Sequence, residues 1–145
     1  MTDLVFVDSN ILVYARDVDA GVKQMKAAAW MEHLWRKRTG RLSVQVLQEF
    51  YVNVTRKLKV PLTPDLARTE IRNLMAWNPV QIGGEVLESA FAIEDRYRIS
   101  FWDSLIVAAA AIAGCSTILS EDLQHGQTLE GVRVTNPLRS DVAAP

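Results

Sequence analysis

The chain has 145 residues, with 16 Lys and Arg against 17 Asp and Glu, 49% hydrophobic and 23% charged. That balance suits one compact domain with a substantial core and excludes a low-complexity chain; the formal net charge of −1 gives no global sign of a nucleic-acid binder. A single cysteine, Cys115, excludes an internal disulfide, no apolar run reaches the roughly 20 residues of a bilayer span, and "MTDLVFVDSN" lacks the pattern of a secretory signal, so a cytoplasmic protein with no membrane segment is expected.

In chain order, "LVFV" (4–7) is continuously apolar and rich in β-branched and aromatic residues, as in a strand covered on both faces. "DSN" follows as a turn or helix cap, and "ILVYA" continues as a short helix. Residues 22–38 read as a long helix with Met25, Ala28 or Ala29, and Trp35 near one side. "RLSV" (41–44) reads as a short strand and 45–58 as a helix whose stripe is Leu47, Phe50, Tyr51, Val54 and Leu58. Pro64 sits in the first turn of the next helix, which runs to about Trp77. "PVQI" (79–82) is strand-like, and 85–98 form an amphipathic helix. A helix headed by Asp103 follows, without one polar side chain from Leu105 to Ala113, and is therefore expected to be buried on every side. "STILS" (116–120) is a strand, 121–131 a loop, and "VRV" (132–134) a last strand. Cys115 is expected to be a small buried residue, and the basic runs at 36–41 and 56–59 to be solvated helix ends.

Strands alternating with helices define the α/β class, here a three-layer α/β/α sandwich with a central, mainly parallel sheet. One domain is expected over 1–138, followed by a short tail at 139–145. Ligands of such sheets bind beyond the carboxyl ends of the strands. Four acids fall there: Asp8 directly after the first strand, Glu49 early in the helix after the second, Asp103 at the head of the buried helix, and Asp122 just after "STILS". Helical side chains lean toward the N-terminus, so all four can face one pocket. Carboxylates gathered in this way repel one another and require a cation. An oxygen-only set without a Cys/His group suits Mg²⁺ or Mn²⁺ and not zinc.

Each acid also has a plainer reading. Asp8 could cap the helix that begins near Asn10, and Ser100-x-x-Asp103 matches a capping box. Glu49 lies roughly opposite the Leu47, Tyr51 and Val54 stripe, where a solvated Glu is expected, and Asp122 suits a turn. His33 and His125 read as structural or solvated, and Trp102 as a core residue.

Taken together, "FVDSNILVYA" (6–15), "SVQVLQEFYVN" (43–53), "SFWDSLIVAAA" (100–110) and "ILSEDLQHG" (118–126) resemble the PIN domain, in particular the ribonuclease toxins of the VapC kind. The resemblance runs from Val5 to about Asn136. It implies that Asp8, Glu49, Asp103 and Asp122 are catalytic, metal-site residues and that Asn10 and Ser120 support them by hydrogen bonds. Glu121 could share the role of Asp122, and His125 departs from relatives that carry another acid nearby. Also implied are Mg²⁺ (or Mn²⁺) as cofactor, a cognate antitoxin whose segment reaches the acidic pocket, and a homodimer, with the faces at 25–35 and 66–77 available for it.

The expected reaction is metal-dependent hydrolysis of RNA phosphodiester bonds, with transfer RNA or another structured RNA as substrate and single-stranded or loop regions as the point of attack. Arg16, Lys57, Arg96 and Arg98 are the candidate basic rim. Two alternatives stand beside it: a catalytically silent module of the same fold that binds RNA or protein, and a Mg²⁺-dependent phosphatase or phosphoacceptor. The second is disfavoured by Asp8-Ser9-Asn10, where a haloacid-dehalogenase-type enzyme would need Asp-x-Asp, and by the absence of a lysine in "VRVTNP".

Overall fold

The computed structural model describes residues 3–145. In chain order it comprises β1 (Leu4–Val7), α1 (Ser9–Arg16), α2 (Val22–Lys37), β2 (Gly40–Arg41), α3 (Val44–Arg56), α4 (Pro64–Leu74), α5 (Gly84–Tyr97), α6 (Phe101–Ile112), β3 (Cys115–Leu119), β4 (Thr128–Leu129) and β5 (Val132–Thr135). The sheet order is β2-β1-β3-β5-β4, with every pairing parallel except β4 against β5. The architecture is α/β, a mainly parallel central sheet flanked by helices, as the alternation of elements implied.

Both faces of the sheet are covered. Phe6 and Val7 are successive residues of β1, so their side chains point to opposite faces, yet each is 0% exposed. Ile118 and Leu119 of β3 repeat the pattern. This explains why neither strand shows an alternating sequence. Helix α6 is buried continuously from Ser104 to Ala110. It begins at Phe101, capped by Ser100, whose Oγ accepts from the Asp103 amide at 3.0 Å; Asp103 therefore lies in the first turn and does not start the helix. Burial also ends earlier than expected, because Ile112 is 40% exposed where the last turn reaches the surface.

Three further boundaries differ from the sequence reading. The strand expected at 41–44 is only Gly40–Arg41, because Ser43 turns the chain and caps α3, its Oγ accepting from Val46 N at 3.3 Å. "PVQI" contributes a single bridge, Val80 to Ser43, where Pro79 has no N–H to extend a ladder. The loop at 121–131 contains β4, which turns back on β5 through Glu130 and Gly131, both at positive φ (50° and 77°), the geometry of a two-residue hairpin.

A close approach sets the position of β2. A Cβ added at Gly40 would lie 2.6 Å from Cζ2 of Trp77, which follows α4 in a short 3₁₀ turn, Met75–Trp77, and is buried. Only glycine leaves room for the indole there. The basic runs lie at the C-terminal ends of α2 and α3, as expected of solvated helix ends. Cys115 is buried, and burial pushes its thiol up to about 12. Among the described residues no helix is long and apolar enough to cross a membrane.

Candidate active site

Parallel pairing of Val7 with Leu119 brings the residues that follow β1 and β3 side by side. The Asp8 amide continues the ladder, donating to the Leu119 carbonyl at 3.0 Å, while Ser120 N–H donates to Thr135 at 3.1 Å. Ser120 Oγ then donates to Asp8 Oδ2 at 2.8 Å. The other oxygen, Oδ1, accepts from Ser9 N at 2.8 Å and caps α1. The capping reading of Asp8 is therefore met by one oxygen, which leaves the other at the strand ends with Ser120.

Asp8 is 4% exposed. Burial pushes its carboxyl up to about 6, against the pull of the Ser120 and Ser9 hydrogen bonds, and the charges of Asp122 and Glu49 push the same way as burial. An acid so placed carries charge at neutral pH at a cost that a nearby cation would offset.

Asn10, in the first turn of α1, joins the strand ends to the loop after β3. Its Nδ2 donates to Asp8 Oδ2 at 3.2 Å and to Asp122 Oδ2 at 3.1 Å, and its Oδ1 accepts from Glu121 N at 3.0 Å. Ser120 Oγ accepts in turn from the amides of Asp122 (3.1 Å) and Leu123 (3.3 Å), fixing that loop. Glu49 is half-buried and its Oε1 accepts from Ser9 Oγ at 3.0 Å. The solvated position expected for it is corrected: the buried stripe of α3 includes Val46, one turn before Glu49, which puts the acid on the flank of that stripe. Asp103 is partly buried, and burial, then the nearby Asp122 charge, raise its carboxyl above the usual range while Ser100 opposes them.

The four acids are thus electrostatic neighbours at the carboxyl edge of the sheet. Asn10 stands between Asp8 and Asp122, and among the described residues no three Asp, Glu, His or Cys side chains converge tightly enough to form one coordination sphere. The donor set itself consists of oxygens and suits a hard divalent cation.

Glu121 faces elsewhere. Tyr14 Oη donates to its Oε1 at 2.6 Å and Lys23 Nζ to its Oε2 at 2.8 Å. Burial would raise its carboxyl, but these two partners outweigh it and hold the group low. Ser9, Tyr14 and Lys23 carry no sequence signal for this site, because each joins it only through tertiary packing. Two of the expected rim cations are committed to acids: Arg16 pairs with Glu70 and Arg96 with Glu130. Arg98 caps α5 in the left-handed conformation, at φ 56°. His125 is structural, its Nδ1 accepting from Asn136 N at 3.0 Å, and His33 packs edge-on against Trp30. Trp102 is not a core residue. It is 64% exposed in the first turn of α6, before the stretch that neighbouring layers cover, with its ring edge against Phe101.

A mainly parallel α/β/α sheet with a buried, hydrogen-bonded carboxylate at its carboxyl edge defines the class of protein. Residues 5–128 match the family model of the PIN domain, and the chain belongs to that family. Solved structures share the fold. A FitAB complex bound to a DNA fragment has a chain similar at 18% identity and a TM-score of 0.68, covering 94% of this chain and 96% of that one. A toxin–antitoxin complex from Klebsiella pneumoniae gives 18% and 0.65, covering 92% and 97%. VapC20 of Mycobacterium tuberculosis, described as a toxin that cleaves the sarcin–ricin loop, gives 18% and 0.63, covering 81% and 89%. No curated protein sequence matches the chain.

Proposed function

We propose that the protein is a metal-dependent endoribonuclease that hydrolyses RNA phosphodiester bonds and acts as the toxin of a toxin–antitoxin pair. The observation that carries the reading is Asp8: a carboxylate 4% exposed, pushed up to about 6 by burial and flanked by the charges of Asp122 and Glu49, at the edge where such sheets bind ligands. PIN membership and the shared fold of a toxin described as cleaving the sarcin–ricin loop support it.

Drawn closer together by the ion, Asp8, Asp103 and Asp122 would hold Mg²⁺ or Mn²⁺, with Glu49 as a direct or water-mediated ligand. A bound divalent ion supplies acidified water and Lewis-acid stabilisation of the phosphate. The chain's own residues do the positioning. Ser120 holds Oδ2 of Asp8, Asn10 ties Asp8 to Asp122, and Ser9 keeps Glu49 turned toward the strand ends. The nuclease unit spans 1–138. An antitoxin segment and a second copy of the chain are its proposed protein partners; the similarity to chains from toxin–antitoxin complexes supports the first, and the exposed Met25, Trp35, Leu66 and Met75 leave apolar surface for either.

The test is incubation of total RNA and transfer RNA with purified protein and Mg²⁺ or Mn²⁺, with and without EDTA. Discrete fragments that disappear in EDTA support the reading. Intact RNA at every metal concentration, with RNA binding retained, favours the silent module. Phosphorylation by acetyl phosphate would favour the phosphoacceptor.

A further inference from the structure

On the lip of the acidic edge, α1, α2 and the loop after β3 assemble Tyr14, Lys23 and Glu121. Besides its 2.8 Å bond to Glu121 Oε2, Lys23 Nζ stands 3.5 Å from Tyr14 Oη and 5.0 Å from the centroid of the Tyr14 ring. Tyr14 Oη closes the group with its 2.6 Å bond to Glu121 Oε1. The backbone of Glu121 is held by the same Asn10 side chain that bridges Asp8 and Asp122. A cleft of about 280 Å³, whose lining includes Ser9, Asn10, Tyr14, Asn53, Glu121 and Asp122, joins Tyr14 and Glu121 to Asp122.

Neighbouring residues therefore do opposite jobs. Asp122 is tied to Asp8, whereas both oxygens of Glu121 are engaged by Tyr14 and Lys23. A polyanion approaching a group of carboxylates is repelled unless cations line its path. All three cations, Arg16, Arg96 and Lys23, are paired, but Glu70 and Glu130 lie outside this cleft, whereas the partners of Lys23, Tyr14 and Glu121, line it and set its ammonium at the cleft's margin. An ammonium has three N–H donors; Glu121 and Tyr14 take two at most, which leaves one for a phosphate oxygen.

We infer that Lys23 binds a non-scissile phosphate of the RNA strand, with Glu121 and Tyr14 as the residues that position it. This rests on the nuclease reading above and assigns Glu121 to substrate binding and not to the metal.

The test compares wild type with Lys23→Met, Lys23→Arg and Glu121→Gln, each checked by circular dichroism. Methionine retains an unbranched apolar side chain near Tyr14 while removing the charge. Cleavage kinetics on a labelled single-stranded RNA are measured in Mg²⁺. Binding of the same RNA is read by anisotropy in Ca²⁺ over a NaCl series, and Mn²⁺ binding without RNA by calorimetry. Lys23→Met should raise KM and Kd about 3- to 10-fold with kcat within about two-fold, and flatten the salt dependence by about 0.7 in log–log slope, as for one phosphate contact on a single strand. Lys23→Arg should restore most of the affinity, and Glu121→Gln should leave Mn²⁺ affinity unchanged. An unchanged Kd and slope in Lys23→Met overturns the inference, as does a loss of Mn²⁺ affinity in Glu121→Gln. If wild-type protein binds the RNA without cleaving it in any metal, the nuclease reading fails while Lys23 is still judged by Kd. Failure to bind RNA at all overturns both.

Discussion

Ser120 donates its hydroxyl to Oδ2 of Asp8 at 2.8 Å across 112 residues of sequence, and both residues are buried. The same oxygen of Ser120 accepts the amides of Asp122 and Leu123, so one hydroxyl holds the acid that follows β1 and the loop that carries another. Replacing Ser120 with alanine leaves three groups short of a partner. Ser120→Ala should destabilise the protein by about 1–3 kcal/mol in chemical denaturation and reduce RNA cleavage about 10- to 100-fold.

The raised carboxyl of Asp8 gives stability a definite pH dependence. Its ordinary value is 3.8 and the folded protein holds it at about 6, so the native state binds the proton more tightly. The stabilisation is present in full below pH 3.8 and is lost as pH rises through about 6, by at most about 3 kcal/mol. In metal-free buffer, Asp8→Asn should therefore melt at a higher temperature than wild type at pH 7, with the difference disappearing by pH 4. Asparagine still caps a helix, so α1 is preserved.

Asn10 is the donor that separates two acids. Asn10→Asp substitutes another carboxylate for that donor and adds repulsion with Asp8 and Asp122. The variant should be less stable than wild type without metal and should recover more of its melting temperature on adding Mn²⁺. Thermal melts with and without the ion read both effects.

Gly40 tests the packing far from the acids. Gly40→Ala forces the buried Trp77 ring to move and should cost about 1–3 kcal/mol. Once folded, the variant should cleave RNA at the wild-type rate, which separates fold from chemistry.

How far the sequence reveals this molecule depends on whether a residue's role is local. Strands β1 and β3 and helix α6 are legible because a run of apolar side chains has only one environment that suits it, and burial on both faces follows. Asp8 as the cap of α1 and Ser100 as the cap of α6 are legible because capping is a matter of a few residues. Glu49 is obscure because Leu47, Tyr51 and Val54 put it opposite the apolar stripe, while Val46 is also buried and brings the covered face round toward it. The exposure of Trp102 is illegible because hydrophobicity alone says nothing about where the first turn of α6 leaves the covered layer. The β4–β5 hairpin depends on a Glu-Gly turn, a weaker signal than Asn-Gly or Asp-Gly. Lys23 and Glu121 meet across 98 residues, and nothing short of the fold brings them together.

The most direct measurement is cleavage of transfer RNA by Asp103→Asn in Mg²⁺ beside wild type, with folding verified by circular dichroism. Asp103 lies in the first turn of a buried helix whose capping bond, from its own amide to Ser100 Oγ, does not use its carboxylate. If that carboxylate serves a metal, a correctly folded variant should lose at least about 100-fold in rate, as wild type does in EDTA. Wild-type cleavage by the folded variant, persisting in EDTA, would contradict the carboxylate–metal mechanism.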